Sequence, residues 1–341
     1  MRIITARPHR LLGRVIAEIG ALADKGGRCM LLVPSQFTLQ AEIEVMTQLE
    51  LSGSFLIDVL SPGRLQERVF ERAGRPDRVI FDERGKCMVL SEIIAAEKEN
   101  LTVYRSTAEN GLQGLAGRMS ALIADFKRSG KTAQDIRNTL DALDEAQRRG
   151  SAARKLADAA KIYAAYEQRM EGTLSDAEDV SNEMLMRLKR SGVLENKHVF
   201  IYGFDMITPT FARQITEMAK SAADLTLAVE TDKNAAPDGR LFAPVNLSLA
   251  RLKDMAREAG ITCSEERIDA PLDAHADIRT LERGLYALGG KPEEGAPEAI
   301  ELLAVSSARQ EVHILAARIR KMLMDGEDPA QMAVIYPRGG S

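Results

Sequence analysis

The stretch MRIITARPHRLLGRVIAEIGALADKGGRCMLLVPS, residues 1–35, sets the fold of this 341-residue chain. It opens with a short apolar strand at Ile3 and Ile4. A helix follows, because apolar residues recur at the spacing of one helical face: Leu11, Leu12, Val15, Ile16, Ile19 and Leu22. Gly26-Gly27 ends this helix. The uninterrupted apolar run at 29–33 then has the length and composition of a strand that is buried on both faces of a parallel sheet.

The same alternation of strands and helices continues along the chain. A helix that carries Ile43 and Met46 leads to a third strand at 55–60, which gives the order β-α-β-α-β. This order predicts a parallel sheet with right-handed crossovers. After residue 191 the rhythm returns, with strands at 198–202 and 225–230. The helix between them begins at Thr208-Pro209, an N-cap followed by a proline at the first helical position.

Residues 82–191 show almost only helical periodicity, for example at Leu115, Met119 and Ile123. The sequence therefore predicts an α/β core formed by residues 1–81 and 192–288, with an all-helical insertion at 82–191.

Beyond a linker at 289–297, rich in Gly, Pro and Glu, we predict a strand at 300–305, a helix at 311–324 and a strand at 333–336. Residues 298–341 are thus expected to be the truncated start of a second α/β domain. Because the chain stops just after a strand, we expect it to be a piece of a longer protein. A natural end at a ragged edge strand is the alternative.

The bulk composition is that of an ordinary globular chain, with 28% charged residues and a net charge of −4. No global positive field attracts nucleic acid, so any contact with DNA requires a local patch. No apolar run approaches the ~20 residues that span a bilayer, and the N-terminus lacks the pattern of a signal peptide. We therefore expect a cytoplasmic location and no membrane partner. Cys29, Cys87 and Cys263 form no C-x-x-C pair, which argues against a metal site.

The first β-α turn is the place where a nucleotide-binding protein of this class would hold phosphates. A P-loop needs G-x-x-x-x-G-K-[ST], so that glycine amides and a lysine can hold phosphates. Residues 5–10 read Thr-Ala-Arg-Pro-His-Arg, without a glycine or a lysine. Arg7 and Arg10 either meet an anion there or are solvated surface residues. The sequence Gly130-Lys131-Thr132 is a decoy, because a helix precedes it and Asp125 replaces the first glycine; we expect a helix end followed by a turn.

A motor ATPase also needs an acidic pair at the end of a later strand, to hold Mg²⁺ and position water. The matching strand at 198–202 is followed by Gly203-Phe204-Asp205, with one aspartate in place of the pair. Asp205 is either a relic ligand or, the interpretation we favour, a turn residue that bonds nearby backbone. We assign no catalytic residue to this chain.

Three ordered motifs carry a resemblance to a known family. They are Val-Pro-Ser-Gln-Phe-Thr-Leu-Gln-Ala-Glu at 33–42, a helical group with Lys-Leu-Ala-Asp at 155–158 and Asp-Ala-Glu-Asp at 176–179, and Tyr-Gly-Phe-Asp at 202–205 followed by Thr208-Pro209. In this order, over most of the chain, the sequence resembles the N-terminal part of AddB/RexB, the second subunit of the bacterial AddAB helicase–nuclease.

The resemblance implies a superfamily 1 helicase-like, P-loop-NTPase-type fold: an α/β core (1A), a helical insertion (1B) and a second core (2A), which the sequence at 333–336 would open. It also implies an AddA-type partner subunit and DNA ends as the ligand. Family members continue into a nuclease domain with iron–sulfur cysteines and Mg²⁺. None of its motifs occurs in this sequence, so we expect no cofactor in this chain. Residues 5–10 depart from members that keep a P-loop, which puts ATP binding in doubt.

In a helicase fold the loops after the second and third strands contact single-stranded DNA. These loops hold the residues that we predict to bind DNA: Gln36, Phe37, Thr38, Gln40, Ser61 and Arg64. Phe37 either stacks on a base or packs into the core. The principal hypothesis is a DNA-handling scaffold without motor activity. The alternatives are an ATPase with a non-standard nucleotide site and a structural module that only binds a partner.

Overall fold

The structure is a computed structural model that describes residues 1–172, 174–232, 241–285 and 295–336. It divides into two compact units, Met1–Leu272 with Tyr286–Leu288, and Asp273–Leu285 with Gly289–Ser341. Most of the predicted linker at 289–297 lies outside the described residues, as do the last residues of the chain, 337–341.

The central feature of the first unit is a six-stranded parallel sheet. The strands described in the chain are β1 (Arg2–Ala6), β2 (Arg28–Leu32), β3 (Ile57–Leu60), β4 (Val79–Ile80), β5 (Leu174–Ser175), β6 (Lys197–Ile201), β7 (Asp224–Glu230) and β8 (Ser264–Arg267). The sheet has the order β3-β2-β6-β7-β1-β8, and all its neighbouring strands are parallel. This confirms the parallel α/β sheet that the β-α-β order predicts. The edge strand β8 was not predicted, because Ser-Glu-Glu-Arg has no apolar pattern.

Helices connect these strands and form much of the remaining chain. They are α1 (Leu12–Ala23), α2 (Thr38–Gln48), α3 (Pro62–Ala73), α4 (Glu83–Glu97), α5 (Arg105–Asn110), α6 (Leu112–Arg128), α7 (Ala133–Asp141), α8 (Glu145–Arg148), α9 (Ser151–Met170), α10 (Ala177–Ser191), α11 (Pro209–Ser221), α12 (Ala243–Glu258), α13 (Ala276–Gly284) and α14 (Ala308–Met324). The predicted N-cap is confirmed, because the Thr208 side chain accepts the N–H of Phe211 at 3.2 Å.

Helices cover both faces of the sheet, because side chains alternate along each buried strand. Ile3 and Met30 pack on one face with α3, α10, α11 and α12. Ile4 and Leu31 pack on the other face with α1 and α2. The helical residues of the second cluster include Val15, Ile16 and Ile19, which are the periodic positions of the opening stretch.

Residues 82–191 contain the helices α4 to α10, and most of these surround a separate apolar cluster centred on Tyr163 and Tyr166. The segment is not entirely helical as predicted: Leu174–Ser175 pairs in parallel with Val79–Ile80 in a two-stranded sheet apart from the central one. Strands of two residues are too short to produce a periodic signal in the sequence.

Charged groups are buried where α4 and α6 meet the start of α10. Lys127 lies 2.7 Å from the Asp176 carboxylate and 2.8 Å from that of Asp179, and Lys86 is almost fully buried beside Asp176. Burial raises the pKa of Asp176, but the charge and hydrogen bond of Lys127 outweigh it and leave that pKa below its ordinary value. These ion pairs therefore require the Asp176 carboxylate to be ionised.

The second unit contains α13 and α14, and α14 confirms the helix predicted at 311–324. The strands predicted at 300–305 and 333–336 are wrong: both stretches lack regular secondary structure. Leu302 is 96% exposed and Ile335 is 95% exposed, and the described residues supply no strand for either to pair with. An apolar run without a pairing partner cannot satisfy the backbone hydrogen bonds of a strand.

Candidate functional site

Loops that follow parallel strands meet at one edge of the sheet, which is where ligands bind in open α/β folds. In this chain the loops after β1, β2, β3, β6 and β7 meet at the carboxyl ends of their strands. We call this region the carboxyl edge. It holds the predicted nucleotide-site residues and the predicted DNA-binding residues.

The loop after β1 holds two of the predicted nucleotide-site residues, but its cations face carboxylates and carbonyls of the chain itself. The Arg7 guanidinium donates to the Asp232 carboxylate at 2.8 Å and lies 5.7 Å from the centre of the Phe242 ring. Arg10 donates to the carbonyl oxygens of Ala270 at 2.6 Å and Pro8 at 2.7 Å. Both arginines thus have internal partners.

The Glu230 carboxylate, at the end of β7, binds the same loop. It accepts the backbone N–H of His9 at 2.9 Å and the hydroxyl of Tyr202 at 2.9 Å. Burial, together with the charge of Glu230, raises the pKa of Tyr202, so its hydroxyl remains a donor. An anion entering here would meet Glu230 and Asp232, and like charges disfavour each other. The loop therefore has the electrostatics of a closed structural turn.

Asp205 lies in the bend after β6 and is exposed. Its carboxylate accepts no hydrogen bond from the described residues, so it is not the backbone-bonding turn residue that we favoured. It also forms no ion pair with Arg7 or Arg10, which lie beyond the intervening strand β7. The three predicted nucleotide-site residues share the carboxyl edge, but no contact brings them together.

The turn after β6 packs against the turn after β2. Phe37 contacts Tyr202, with ring centres 6.0 Å apart, and is partly exposed. Gly203 has a φ of +83°, and a β-carbon on it would lie 3.3 Å from the ring of Pro34. Glycine is required here by both the conformation and the close approach. Phe37 thus packs on the core and also presents part of its ring to solvent.

The other predicted DNA-binding residues lie in the loops after β2 and β3, which are neighbouring strands. Gln36 is exposed, and the Thr38 hydroxyl donates to the Ser35 carbonyl at 3.1 Å. Gln40 donates to Glu44 at 2.9 Å. These are local contacts that leave the side chains at the surface.

Ser61 and Arg64 begin helix α3. The buried Ser61 hydroxyl accepts the Arg64 N–H at 3.3 Å and caps the helix, so it is committed to structure. The Arg64 side chain is exposed and forms no ion pair with the described residues. The sequence predicted the positions of these six residues, but it assigned no role to Tyr202 or Glu230. Both lie where a buried strand ends, and Tyr202 also opens the motif at 202–205.

The decoy Gly130-Lys131-Thr132 is a helix end, as predicted. Gly130 has a φ of +66°, and the N–H of Lys131 donates to the Phe126 carbonyl at 2.8 Å, which closes α6. Thr132 caps α7 and exchanges hydrogen bonds with Asp135.

The described residues offer no ligand set for a metal or an iron–sulfur cluster, because they contain no suitable group of three or more His, Cys, Asp or Glu side chains. Cys29 is buried, and burial raises the pKa of its thiol to about 11, which keeps it protonated. In the described part of the chain, no helix combines the length and apolarity that crossing a bilayer demands.

Comparison with known proteins identifies the family. A family described as "ADDB, N-terminal" matches residues 8–282. A relative from Alkaliphilus metalliredigens, named as a subunit of an ATP-dependent helicase/deoxyribonuclease, is 28% identical over 303 residues, which cover 87% of this chain and 26% of the relative.

Relatives of the same name from Desulforudis audaxviator and Oceanobacillus iheyensis are 28% and 26% identical, over 93% and 86% of this chain. The chain spans about a quarter of the length of these relatives. Because the family match covers most of the chain, the protein belongs to the AddB N-terminal family.

Proposed function

We propose that this chain is the N-terminal, helicase-like part of an AddB-type subunit, without motor activity, that helps to bind and process DNA ends in double-strand break repair and recombination. The relatives are named as a subunit of an ATP-dependent helicase/deoxyribonuclease, which supports an assembly with another subunit and a role on DNA. We propose an AddA-type helicase–nuclease as that partner and the cytoplasm as the place of action.

The proposed absence of motor activity rests on the closed loop after β1. A motor needs phosphate-binding amides, a lysine and Mg²⁺ ligands. Here an arginine and an amide of that loop are bound to Asp232 and Glu230. Phosphates entering this loop would have to displace two carboxylates from their partners, which is unfavourable where those groups are buried or partly buried.

The DNA-binding part of the proposal rests on the exposed polar residues of the carboxyl edge, Gln36 and Arg64, and on the exposed part of Phe37. Phe37 is held by Tyr202 on one side, so its ring is pre-oriented for stacking on a base. Leu39 and Ile43, on the first turns of α2, are 70% and 49% exposed and extend the apolar surface. Such surfaces suit unpaired bases.

The assignment to the superfamily 1, P-loop-NTPase-type class is part of the proposal. The order of elements along the chain supports it: strands β1 to β3 of the parallel sheet come first, a largely helical segment follows, and β6 to β8 then complete the same sheet. The proposed domain limits follow from the same class: a 1A-like core at 1–81 and 192–288, a 1B-like insertion at 82–191 and a 2A-like start at 298–341.

The test compares two affinities for a single-stranded oligonucleotide: that of the unmodified chain and that of its Phe37→Ala/Arg64→Ala double variant. We expect weak binding to which these loops add only a small salt dependence, because Arg64 is the one cation among the six proposed residues and one cation releases few counterions. The double variant should bind more weakly, since a stacked base contributes ~1–3 kcal/mol. Met88→Ala/Arg84→Ala is the matched control, because it also removes an exposed apolar residue and a cation, but from α4.

Unchanged DNA affinity in a double variant that keeps the wild-type melting temperature would remove these loops as the site. ATP turnover stimulated by DNA would instead favour an ATPase with a non-standard site. No DNA binding at all, with retained binding to the AddA-type partner, would favour a structural module.

A further inference from the structure

A groove of about 680 Å³ lies between the end of α6, the turn after β6 and the start of α12. Its lining is cationic, with Arg128, Lys131 and Arg251. Among the described residues that line the groove, Asp125 supplies the one carboxylate, and it lies 2.6 Å from the Arg128 guanidinium. We call this feature the basic groove. It is separate from the six loop residues discussed above.

Two of the three cations in the basic groove are not held in an ion pair with a described residue, although the hydrogen bonds of Thr132 and, to a smaller extent, the charge of Lys131 lower the pKa of the nearby Asp135. Lys131 and Arg251 are exposed and form no ion pair with any described residue. Arg213, equally exposed and without an ion pair there, lies on the other side of the same turn: a β-carbon on Gly130 would be 3.6 Å from its guanidinium nitrogen. Neighbouring like charges repel, and a bound polyanion relieves that repulsion.

The backbone beneath these cations is fixed. The Lys131 N–H donates to the Phe126 carbonyl at 2.8 Å, and the Gly130 N–H donates to the Lys127 carbonyl at 2.9 Å. From α11, the Thr210 hydroxyl donates to the Arg128 carbonyl at 2.6 Å. The turn is therefore held against α11, and its cations project from an ordered surface that needs little reorganisation to bind a ligand.

The groove also contains exposed apolar side chains. Met206 is 59% exposed and Leu247 is 54% exposed, and both line it. Met206 follows Asp205 in the turn after β6, so the groove continues directly from the carboxyl edge. Cations beside apolar side chains in one concave surface suit a ligand with a charged backbone and apolar faces, which describes unpaired nucleic acid more closely than a duplex.

We infer that the basic groove, together with Arg213 on the other side of its turn, binds the phosphodiester backbone of a single DNA strand without sequence preference; Lys131 and Arg251 contribute from the groove itself. Met206 and Leu247 contact sugars and base faces of the same strand. Because Lys131 lies at the end of α6, this surface joins the helical segment to the α/β core in one DNA path. The inference rests on the proposed DNA-binding function and adds a second surface to it.

The test uses the whole chain and a fluorescent oligothymidine, with the dissociation constant measured across a salt series. In Lys131→Ala/Arg213→Ala/Arg251→Ala the slope of log Kd against log salt concentration should fall by about 2, because each cation releases about 0.7 counterion from a single strand. The loss should be equal for other sequences and for an abasic strand. The control Arg118→Ala/Arg154→Ala/Lys155→Ala removes the same charge from exposed positions on α6 and α9 and should keep the wild-type slope.

An unchanged slope in the groove variant, or an equal fall in both triple variants, would overturn the inference, provided that both melt at the wild-type temperature. Stronger binding to duplex than to the single strand would overturn the choice of ligand. Phe37→Ala/Arg64→Ala reports on the proposed loops alone, so either surface can fail while the other stands.

Discussion

Asp58 illustrates how single residues hold the edge of the sheet. Its carboxylate lies 2.6 Å from the Lys197 ammonium on β6 and 2.7 Å from the Arg68 guanidinium on α3. Burial raises the pKa of Asp58, but the hydrogen bonds and charges of Lys197 and Arg68 outweigh it and leave the pKa below its ordinary value. One carboxylate thus joins β3, α3 and β6, so its ionisation is linked to stability.

Asp58→Asn should lower the free energy of unfolding at neutral pH by about 1–2 kcal/mol, because two charge-assisted hydrogen bonds are weakened. The pKa of Asp58 is lower in the folded protein than in the unfolded chain, where it is about 3.9. The ionised carboxylate therefore stabilises the fold fully at pH values above the unfolded pKa, and this stabilisation is lost as pH falls through the folded pKa. The difference between wild type and variant should therefore be constant near neutral pH and shrink below about pH 4.

Thermal or urea unfolding over a pH series measures this difference, with the exposed Asp141→Asn as the control. A difference that persists undiminished in acid would contradict the linkage. For individual residues, the sequence revealed the missing glycines and lysine of the loop after β1. It could not reveal the contact between Arg7 and Asp232, because the two residues lie 225 positions apart.

Among the helices, Asp158 on α9 organises the chain that leads into α5. Its carboxylate accepts the backbone N–H groups of Thr102 at 2.9 Å, Val103 at 2.7 Å and Tyr104 at 3.1 Å. The side chain is almost completely buried. The Lys-Leu-Ala-Asp motif at 155–158, which carried part of the family resemblance, therefore includes a structural anchor of the helical segment.

Asp158→Ala should destabilise the helical segment by about 3 kcal/mol, because it removes the charged acceptor that three backbone N–H groups share. Asp158→Asn should cost less, since its amide oxygen still accepts. Hydrogen exchange at the amides of residues 102–104 is the measurement, and Asp141→Ala is the control. Unaltered protection of these amides in a folded Asp158→Ala variant would contradict the anchoring role.

Elements were predictable where the chain buries a continuous pattern, as in β2 and α1. They were not predictable where a strand forms only because a neighbouring strand is available for pairing. The polar strand β8 forms because β1 offers an edge to pair with, whereas the apolar stretches at 300–305 and 333–336 find no such edge in the described residues. Pairing is a long-range property, so local apolarity over-predicts some strands and misses others.

At the scale of the whole molecule, the chain combines a proposed DNA-binding surface with a loop after β1 that binds the chain's own carboxylates, Asp232 and Glu230. Membership of the AddB N-terminal family follows from a match over residues 8–282. In a motor, nucleotide and DNA affinity are coupled, and this coupling is reciprocal. If the loop after β1 binds no nucleotide, as we propose, the chain should have no such coupling.

The decisive measurement is therefore the affinity of the chain for single-stranded DNA with and without saturating Mg²⁺–ATP, with ATP turnover followed in the same samples. We predict DNA binding that is unchanged by ATP, with no turnover. A shift in DNA affinity on addition of ATP, or turnover at even ~1 s⁻¹, the low end for ordinary enzymes, would contradict the proposed absence of motor activity.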